Sequence, residues 1–297
     1  MTNRLFHSPQ PDCIAHSTYS APLITDPTTR VFVDFLSDET FPASAKLVEA
    51  HEKWPDSEEE AHSAYSLAYG TDMPMFEYIA QPGFEARAES FGLLMASFNA
   101  MPGNEIKYTV EGYDWSKISR LVDVGGGNGA TAVALAQAYP HLKVVVEDQA
   151  HAVAEGRRSL PDLMQGRVNF IEHDFYGPQP EDRDVKVAQA FMLRMILHDH
   201  SDKYAKRIVK QLLPVFEKGA KLIVVDAVVP AAGTLPPGEE RALRCIDMEM
   251  MQTFNSKERG LDDWKELFAG ASRKLSIVGV WKPEGSKMSI MEVELGS

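Results

Sequence analysis

Leu121-Val-Asp-Val-Gly-Gly-Gly-Asn-Gly129 is the stretch whose reading settles the fold class. A short apolar strand stops in a cluster of glycines, and a helix-forming run follows over residues 130–139. Gly125, Gly126, Gly127 and Gly129 carry no β-carbon, so backbone N–H groups can approach a ligand closely at the positive end of that helix. This is a nucleotide-type cofactor turn. The motif alone leaves the ligand open, because Gly125-x-Gly127-x-x-Ala130 also satisfies the dinucleotide fingerprint and a tight strand-to-helix turn can serve packing only.

The next two strands separate the cofactors. Residues 143–147 form a buried-strand run ending in Glu147 and Asp148, where a carboxylate can accept both ribose hydroxyls of NAD or of an adenosine cofactor. The third strand, residues 168–171, ends in Glu172-His-Asp174-Phe175. An acid there suits the exocyclic amine of an adenine, and Phe175 can pack on the ring. Two successive acid-terminated strands favour S-adenosylmethionine (SAM) over NAD.

Composition sets limits on the function. With 297 residues, 44% of them hydrophobic and 25% charged, the chain can bury a full core and is expected to hold one large domain and a smaller one. A formal charge of −13 argues against nucleic acid or an anionic membrane as partner. Cys13 and Cys245 are too few for a disulfide framework, which suits a cytoplasmic setting, and no spaced Cys/His set suggests a metal. The N-terminus lacks the apolar core of a signal peptide, and no apolar run reaches the roughly 18 residues that a spanning helix needs.

Two regions differ in pattern. Residues 1–110 read as a helical cap, with helical apolar spacing over 27–36, 43–53, 58–69 and 84–98 and a break at Trp54-Pro-Asp-Ser57. Residues 111–297 alternate strand and helix, which implies a parallel sheet with helices on both faces. A strand over 187–193, a helix over 203–218 closed by Gly219, and a strand over 220–225 follow the three strands above. The last two apolar runs, 274–281 and 288–295, are too close for a crossover and must form an antiparallel hairpin. The fold class is therefore α/β, a Rossmann-like seven-stranded sheet with a C-terminal antiparallel hairpin.

The chemistry is expected after the fourth strand, in Arg194-Met-Ile-Leu-His198-Asp199-His200. In open α/β sheets the ligand crevice lies beyond the carboxyl ends of the strands, so His198 and Asp199 stand beside the cofactor. A lone histidine there is more often a helix cap or a loop hydrogen-bonding group. Asp226, at the end of the fifth strand, lies on the same rim and can equally be a cap, while Glu258 in a charged turn reads on its own as solvated surface.

These residues resemble the class I SAM-dependent O-methyltransferases of the plant caffeic-acid type and their fungal polyketide relatives in secondary metabolism, including sterigmatocystin-type methyltransferases. The resemblance runs through His16-Ser-Thr-Tyr-Ser20, Tyr69-Gly-Thr-Asp-Met-Pro74, Gly112-Tyr-Asp-Trp-Ser116, Val122-Asp-Val-Gly-Gly-Gly127, Leu197-His-Asp199 and Lys257-Glu-Arg259. It implies that Gly125, Gly126, Asp148, Asp174, Phe175 and Arg194 bind SAM, that His198 is the general base, and that Asp226 and Glu258 flank and orient it. Three departures stand out. His200 replaces the family's tryptophan, Gln149-Ala150 replaces its Leu-Pro, and the chain is expected to lack about a hundred residues that precede His16 in typical members and build much of the homodimer.

A small aromatic acceptor is expected under the helical region. Phe76, Phe91, Met95 and Phe98, with Met192, Met195, Met248 and Met251 near the sheet rim, offer flat and adaptable apolar surface, although each taken singly reads more simply as core. Two other functions fit the same fold: a SAM-binding enzyme that does not methylate, of pericyclase or decarboxylase type, and a non-catalytic SAM-binding partner subunit. The presence of His198 favours methyl transfer.

Overall fold

A computed structural model describes residues 3–296. Seven strands build the central sheet: β1 Arg120–Val124, β2 Lys143–Asp148, β3 Val168–Glu172, β4 Ala190–Arg194, β5 Lys221–Asp226, β6 Leu275–Trp281 and β7 Ser289–Leu295. Their spatial order is β3-β2-β1-β4-β5-β7-β6, with β7 antiparallel to β5 and to β6 and all other pairs parallel. The order reverses between β1 and β4, and the glycine turn and the histidine segment leave these two neighbouring strands at the same end. A crevice at such a switch point is where open α/β sheets take ligands.

The helices follow from local signals. In chain order they include α1 Pro27–Phe35, α2 Ala64–Tyr69, α3 Glu85–Ala100, α4 Ala130–Ala138, α5 Ala150–Ser159, α6 Asp202–Gln211, α7 Pro237–Phe254 and α8 Leu261–Ala271. Asp26 caps α1 by accepting from Thr28 N and Thr29 N, with Pro27 at the first helical position. Gly70, at φ +62°, ends α2 in the left-handed conformation. None of the helices among the described residues is long and apolar enough to cross a membrane.

Several boundaries differ from the sequence pattern for identifiable reasons. The helix expected over 58–69 begins only at Ala64, where the Ser63 hydroxyl caps it by accepting from Ser66 N, because residues 57–60 are drawn into contacts with the sheet domain. Pro214 divides the helix expected over 203–218 into α6 and the short Leu213–Phe216 segment, since its ring cannot continue the ladder. The strand expected from residue 187 starts at Ala190, after a helical turn at Arg183–Lys186 capped by Asp182.

Three apolar clusters hold these parts. On one face of the sheet Val122, Phe191, Leu193 and Val224 pack against Ile208, Trp264, Leu267 and Phe268 of α6 and α8. On the other face Leu121, Val144, Met192 and Ile223 meet Ala132 and Leu135 of α4 and the fully buried Trp115. The third cluster is the cap's own, and it joins Phe35, Tyr65, Met75, Ile79 and Leu94 to Met250 and Phe254 of α7. Helix α7 therefore belongs to the core of the cap although it arises between two strands of the sheet domain.

Candidate active site

The turn after β1 is a cradle in which side chains have no room. A β-carbon on Gly125, where φ is +72°, would stand 2.5 Å from Ile196 Cδ1, and one on Gly126 would stand 2.7 Å from Asp123 Oδ2. Gly125 N and Gly126 N are held by Glu147 O at 2.8 and 3.3 Å. Asp148 Oδ2 accepts from Gly127 N at 2.7 Å, so the acid that ends β2 is fixed against the turn. Burial pushes its carboxyl above the usual range. Glu147, the alternative acid from the same strand end, faces the other way and accepts from His173 Nδ1 at 2.8 Å, away from the turn.

Asp123 is a residue that the sequence reading passed over. Its carboxyl is 1% exposed, lies directly beneath Gly126, and has one oxygen, Oδ2, with no partner. Burial raises its pKa to about 7, against which the nearby Arg194 works only partly. The available signal was strand alternation: Asp123 shares a face with Leu121, whereas Val122 and Val124 point to the opposite cluster. An acid on the buried face of a strand, two residues before a glycine turn, calls for a cationic partner.

The remaining sequence-predicted cofactor residues lie around the same crevice. Phe175 comes within 3.8 Å of a Gly125 β-carbon and meets the His200 ring edge-on at 5.4 Å between centroids. Asp174 is exposed, and its Oδ1 accepts from Tyr176 N. Arg194 is turned toward the link between cap and sheet, donating to Thr109 Oγ1, Asn99 Oδ1 and Asn104 O at 3.2, 2.9 and 3.0 Å.

His198 sits in a single turn of 3-10 helix, Leu197–Asp199, just past β4, and is 7% exposed. Its Nδ1 donates to Glu258 Oε1 at 2.8 Å. Asp226 Oδ1 lies 3.8 Å from the same nitrogen, too far for a hydrogen bond but close enough for strong attraction, and Asp199 Oδ1 lies 3.5 Å from Nε2. Burial alone would make the imidazole less basic. The opposing pull of Asp226, then Asp199 and Glu258, prevails and holds its pKa well above the ordinary histidine value. Burial in turn raises Asp226 to about 7 and raises Asp199 as well. Of the two acids expected to flank the histidine, Glu258 orients it and Asp226 acts through its field.

The turn that carries His198 is gripped from outside. Arg259, 0% exposed, donates to Leu197 O, His200 O and Asp202 Oδ1, while Ser256 Oγ donates to His198 O at 2.6 Å. Four successive residues, 256–259, thus deliver an acid to the imidazole and fasten the backbone on both sides of it. The cap adds a second grip: Glu60 Oε1 receives His200 Nδ1 at 2.5 Å and the Tyr176 hydroxyl at 2.7 Å, and Glu58 Oε1 receives Lys203 N at the start of α6.

The apolar residues expected to receive an acceptor are distributed over three places. Phe76, Phe91 and Met95 pack on the cap cluster, with Phe76 stacked on Phe254 at 5.1 Å. Met195 and Phe98 pack on the sheet cluster, Met195 in the unusual left-handed backbone region at φ +54°. Met248 and Met251, on α7, are 45% and 43% exposed. Met192 is fully buried inside the sheet cluster and lines no open space.

Comparison with known proteins extends this geometry. The model of the O-methyltransferase domain family matches residues 52–273. O-methyltransferase VdtC of Byssochlamys spectabilis is 39% identical over 304 residues, covering 100% of this chain and 69% of its own length. Among solved structures, the O-methyltransferase NcsB1 from neocarzinostatin biosynthesis, in complex with SAM and 2-hydroxy-5-methyl naphthoic acid, superposes with a TM-score of 0.77 at 24% identity over 99% of this chain and 82% of its own. A protein described as a pericyclic reaction enzyme superposes equally well, TM-score 0.77 at 22% identity, covering 99% of this chain and 74% of its own. Likeness at that level of identity speaks for the fold alone.

Proposed function

The chain belongs to the O-methyltransferase domain family, and from that premise we propose that it methylates a hydroxyl of an aromatic, polyketide-type small molecule using SAM, with His198 as general base. The observation that carries this reading is the environment of His198: a buried imidazole whose Nδ1 is fixed on Glu258 at 2.8 Å while Nε2 has no hydrogen bond among the described residues. A phenol with a reference pKa of about 10 is protonated at neutral pH, so its proton must leave as the new C–O bond forms.

When bound, SAM supplies an electrophilic methyl group on a sulfonium centre. The chain's residues fit it: the glycine cradle has no space for side chains, Asp123 offers an unpartnered buried oxygen to an ammonium, and Asp148 is fixed beside the turn where a ribose would be read. Asp174 and Phe175 would take the adenine, and Arg194, whose positive charge pulls on the Asp123 carboxyl, would set the field at that end of the site.

His198 would take the acceptor's proton on Nε2. Glu258 keeps Nδ1 protonated, which leaves Nε2 as the basic nitrogen, and the carboxylates around the ring stabilise the imidazolium that results. Arg259 and Ser256 keep the turn from drifting. Phe76, Phe91, Met95, Met195, Met248 and Met251 would enclose the ring system of the acceptor from the cap side. A pericyclic or decarboxylative role has no comparable need for an oriented base.

Incubation with SAM and a panel of phenols and hydroxynaphthalenes tests the proposal, with S-adenosylhomocysteine and methylated product read by mass spectrometry. Tight SAM binding without methylation of any panel member would refute it. We also place the protein in the cytoplasm, which its two exposed free thiols support, and expect a homodimer through the cap, where Ile14, Ile24, Phe41 and Val48 stand 64–72% exposed.

A further inference from the structure

Among the described residues, one set of metal-ligating side chains converges: His198, Asp226 and Glu258 each offer an atom, and these atoms lie within 4.8 Å of one another, all three residues being buried. Linear spacing gives no hint of this, because the groups come from three separate strand ends and loops. The two carboxylates also hold an unsatisfied demand. Asp226 Oδ2 and Glu258 Oε2 are both buried with no hydrogen-bond partner, in residues 1% and 7% exposed. A buried anionic oxygen without a donor is costly, and the usual remedies are a proton, a pairing cation or a metal.

We propose that His198 Nδ1, Asp226 and Glu258 form a site for a divalent transition metal of the zinc type, and that its occupation switches the enzyme off. The proposal rests on the reading of His198 as the base.

The geometry suits such an ion. Ligands at about 2.0–2.1 Å around a tetrahedral zinc stand roughly 3.4 Å apart. Here the Nδ1 to Glu258 Oε1 and Nδ1 to Asp226 Oδ1 separations are 2.8 and 3.8 Å and all three ligating atoms lie within 4.8 Å of one another, so side-chain shifts on the order of an ångström would produce the arrangement. One imidazole with two carboxylates, and a fourth position left open, is a set that zinc accepts. Two carboxylates also neutralise a dication, so the assembly adds no net charge to a buried place. Asp199, 3.5 Å from Nε2, can receive the other ring proton.

The consequence for activity follows from proton accounting. The metal on Nδ1 displaces the proton that Nδ1 donates to Glu258: in the neutral imidazole that proton moves to Nε2 by way of solvent, and an imidazolium, already protonated on Nε2, releases it. The ring's one remaining proton then resides on Nε2, directed at Asp199. The nitrogen that would accept the acceptor's proton is filled, and no base is left.

The test uses the full chain stripped with EDTA. Calorimetry with Zn²⁺ and absorption with Co²⁺ should show one strong site per chain, with a tetrahedral cobalt band. Glu258→Gln and, independently, Asp226→Asn should each weaken Zn²⁺ binding by about 10- to 100-fold or more. Cys13→Ser with Cys245→Ser should leave the site unchanged, since both thiols are exposed and neither is among the converging ligand groups. Methyl transfer should fall at least about tenfold when the site fills and return on adding EDTA. Absence of a stoichiometric site, binding indifferent to both carboxylate variants, or full activity with the site occupied would overturn the proposal. Because binding is read without turnover, the two readings fail separately: metal binding with no methylation of any acceptor sinks the function, and methylation without metal binding sinks the site.

Discussion

Asp226→Asn should make His198 markedly less basic while leaving it in place. Asp226 Oδ1 is 3.8 Å from Nδ1 and makes no hydrogen bond to it, so the substitution removes a field and not an anchor. Two unit charges at that separation interact by about 4 kcal/mol at an effective dielectric constant of about 20. Asp226 itself is held at about 7 by burial, so near neutrality it carries about half a charge. The expected loss is then about 2 kcal/mol of electrostatic stabilisation of the imidazolium. The sign is definite: the histidine pKa stands well above its ordinary value and must move down. In EDTA-treated protein carrying ¹³C-labelled histidine, the Cε1 resonance of His198 should titrate at a distinctly lower pH in the variant. The acidic limb of kcat should move the same way, so that the variant keeps more of its maximal rate at low pH, while the maximum falls because a weaker base accepts the phenolic proton less readily. An unmoved or upward-shifted titration, with the Glu258 contact intact, would refute the electrostatic account.

His198→Ala should lower kcat by about 10² or more, the scale of a lost general base, while calorimetric SAM affinity stays within a few-fold of the parent; equal losses in both would mean a structural role. Asp123→Asn should trade binding for stability. The Asp123 pKa, raised to about 7, makes its ionised form a burden on the fold that is absent below about pH 4 and grows until the pH passes 7. Removing that charge should stabilise the free protein at pH 8 by about 1–3 kcal/mol, after allowing for the amide's own unmet hydrogen bonds, and should abolish most SAM affinity; calorimetric melting at pH 5 and pH 8 checks the first half. Arg259→Ala should cut kcat far more than it changes the KM for SAM, because it frees the carbonyls of Leu197 and His200 around the base, and added guanidinium should restore part of the rate.

How much of this could be read from the chain depended on whether a signal was local. The glycine turn, the acids ending β2 and β3, the apolar runs of β4 and β5 and the short link between the last two strands are contiguous patterns, and the seven strands followed from them. The break at Pro214 was equally local, yet the amphipathic pattern ran straight through it, and periodicity does not register a missing N–H. Residues 58–60 carried helical spacing but are pulled out of the helix by partners some 140 to 200 positions away, His200, Lys203 and Asn255, which no window can detect. Long-range contacts of that kind also hid Arg259. Its motif was visible, but a charged turn reads as solvated surface until the carbonyls of the His198 turn are brought against it. Glu258 belonged to the same turn and was identified through resemblance, not through any property of its neighbours.

The surplus of acid around His198 has a functional logic once the cofactor's charge is counted. Three carboxylates beside one imidazole would be excessive for orientation, which the single 2.8 Å contact to Glu258 already provides. They also favour the protonated imidazole when nothing else is bound, which is the wrong state for a base. With His198 as the proposed base, two events would change that balance: a cationic sulfonium held in the same rim of strand ends would lower the histidine pKa, and the charge given up there on transfer would be matched by the charge gained on His198. Positive charge would thus be relocated within a fixed anionic frame and not created in a low-dielectric pocket, where creation would be costly. The same reasoning says that proton release should accompany SAM binding. Calorimetry in buffers of different ionisation enthalpy should detect a fraction of a proton released near pH 7, lost in His198→Ala, and a binding enthalpy independent of buffer would show that the imidazole was neutral from the start.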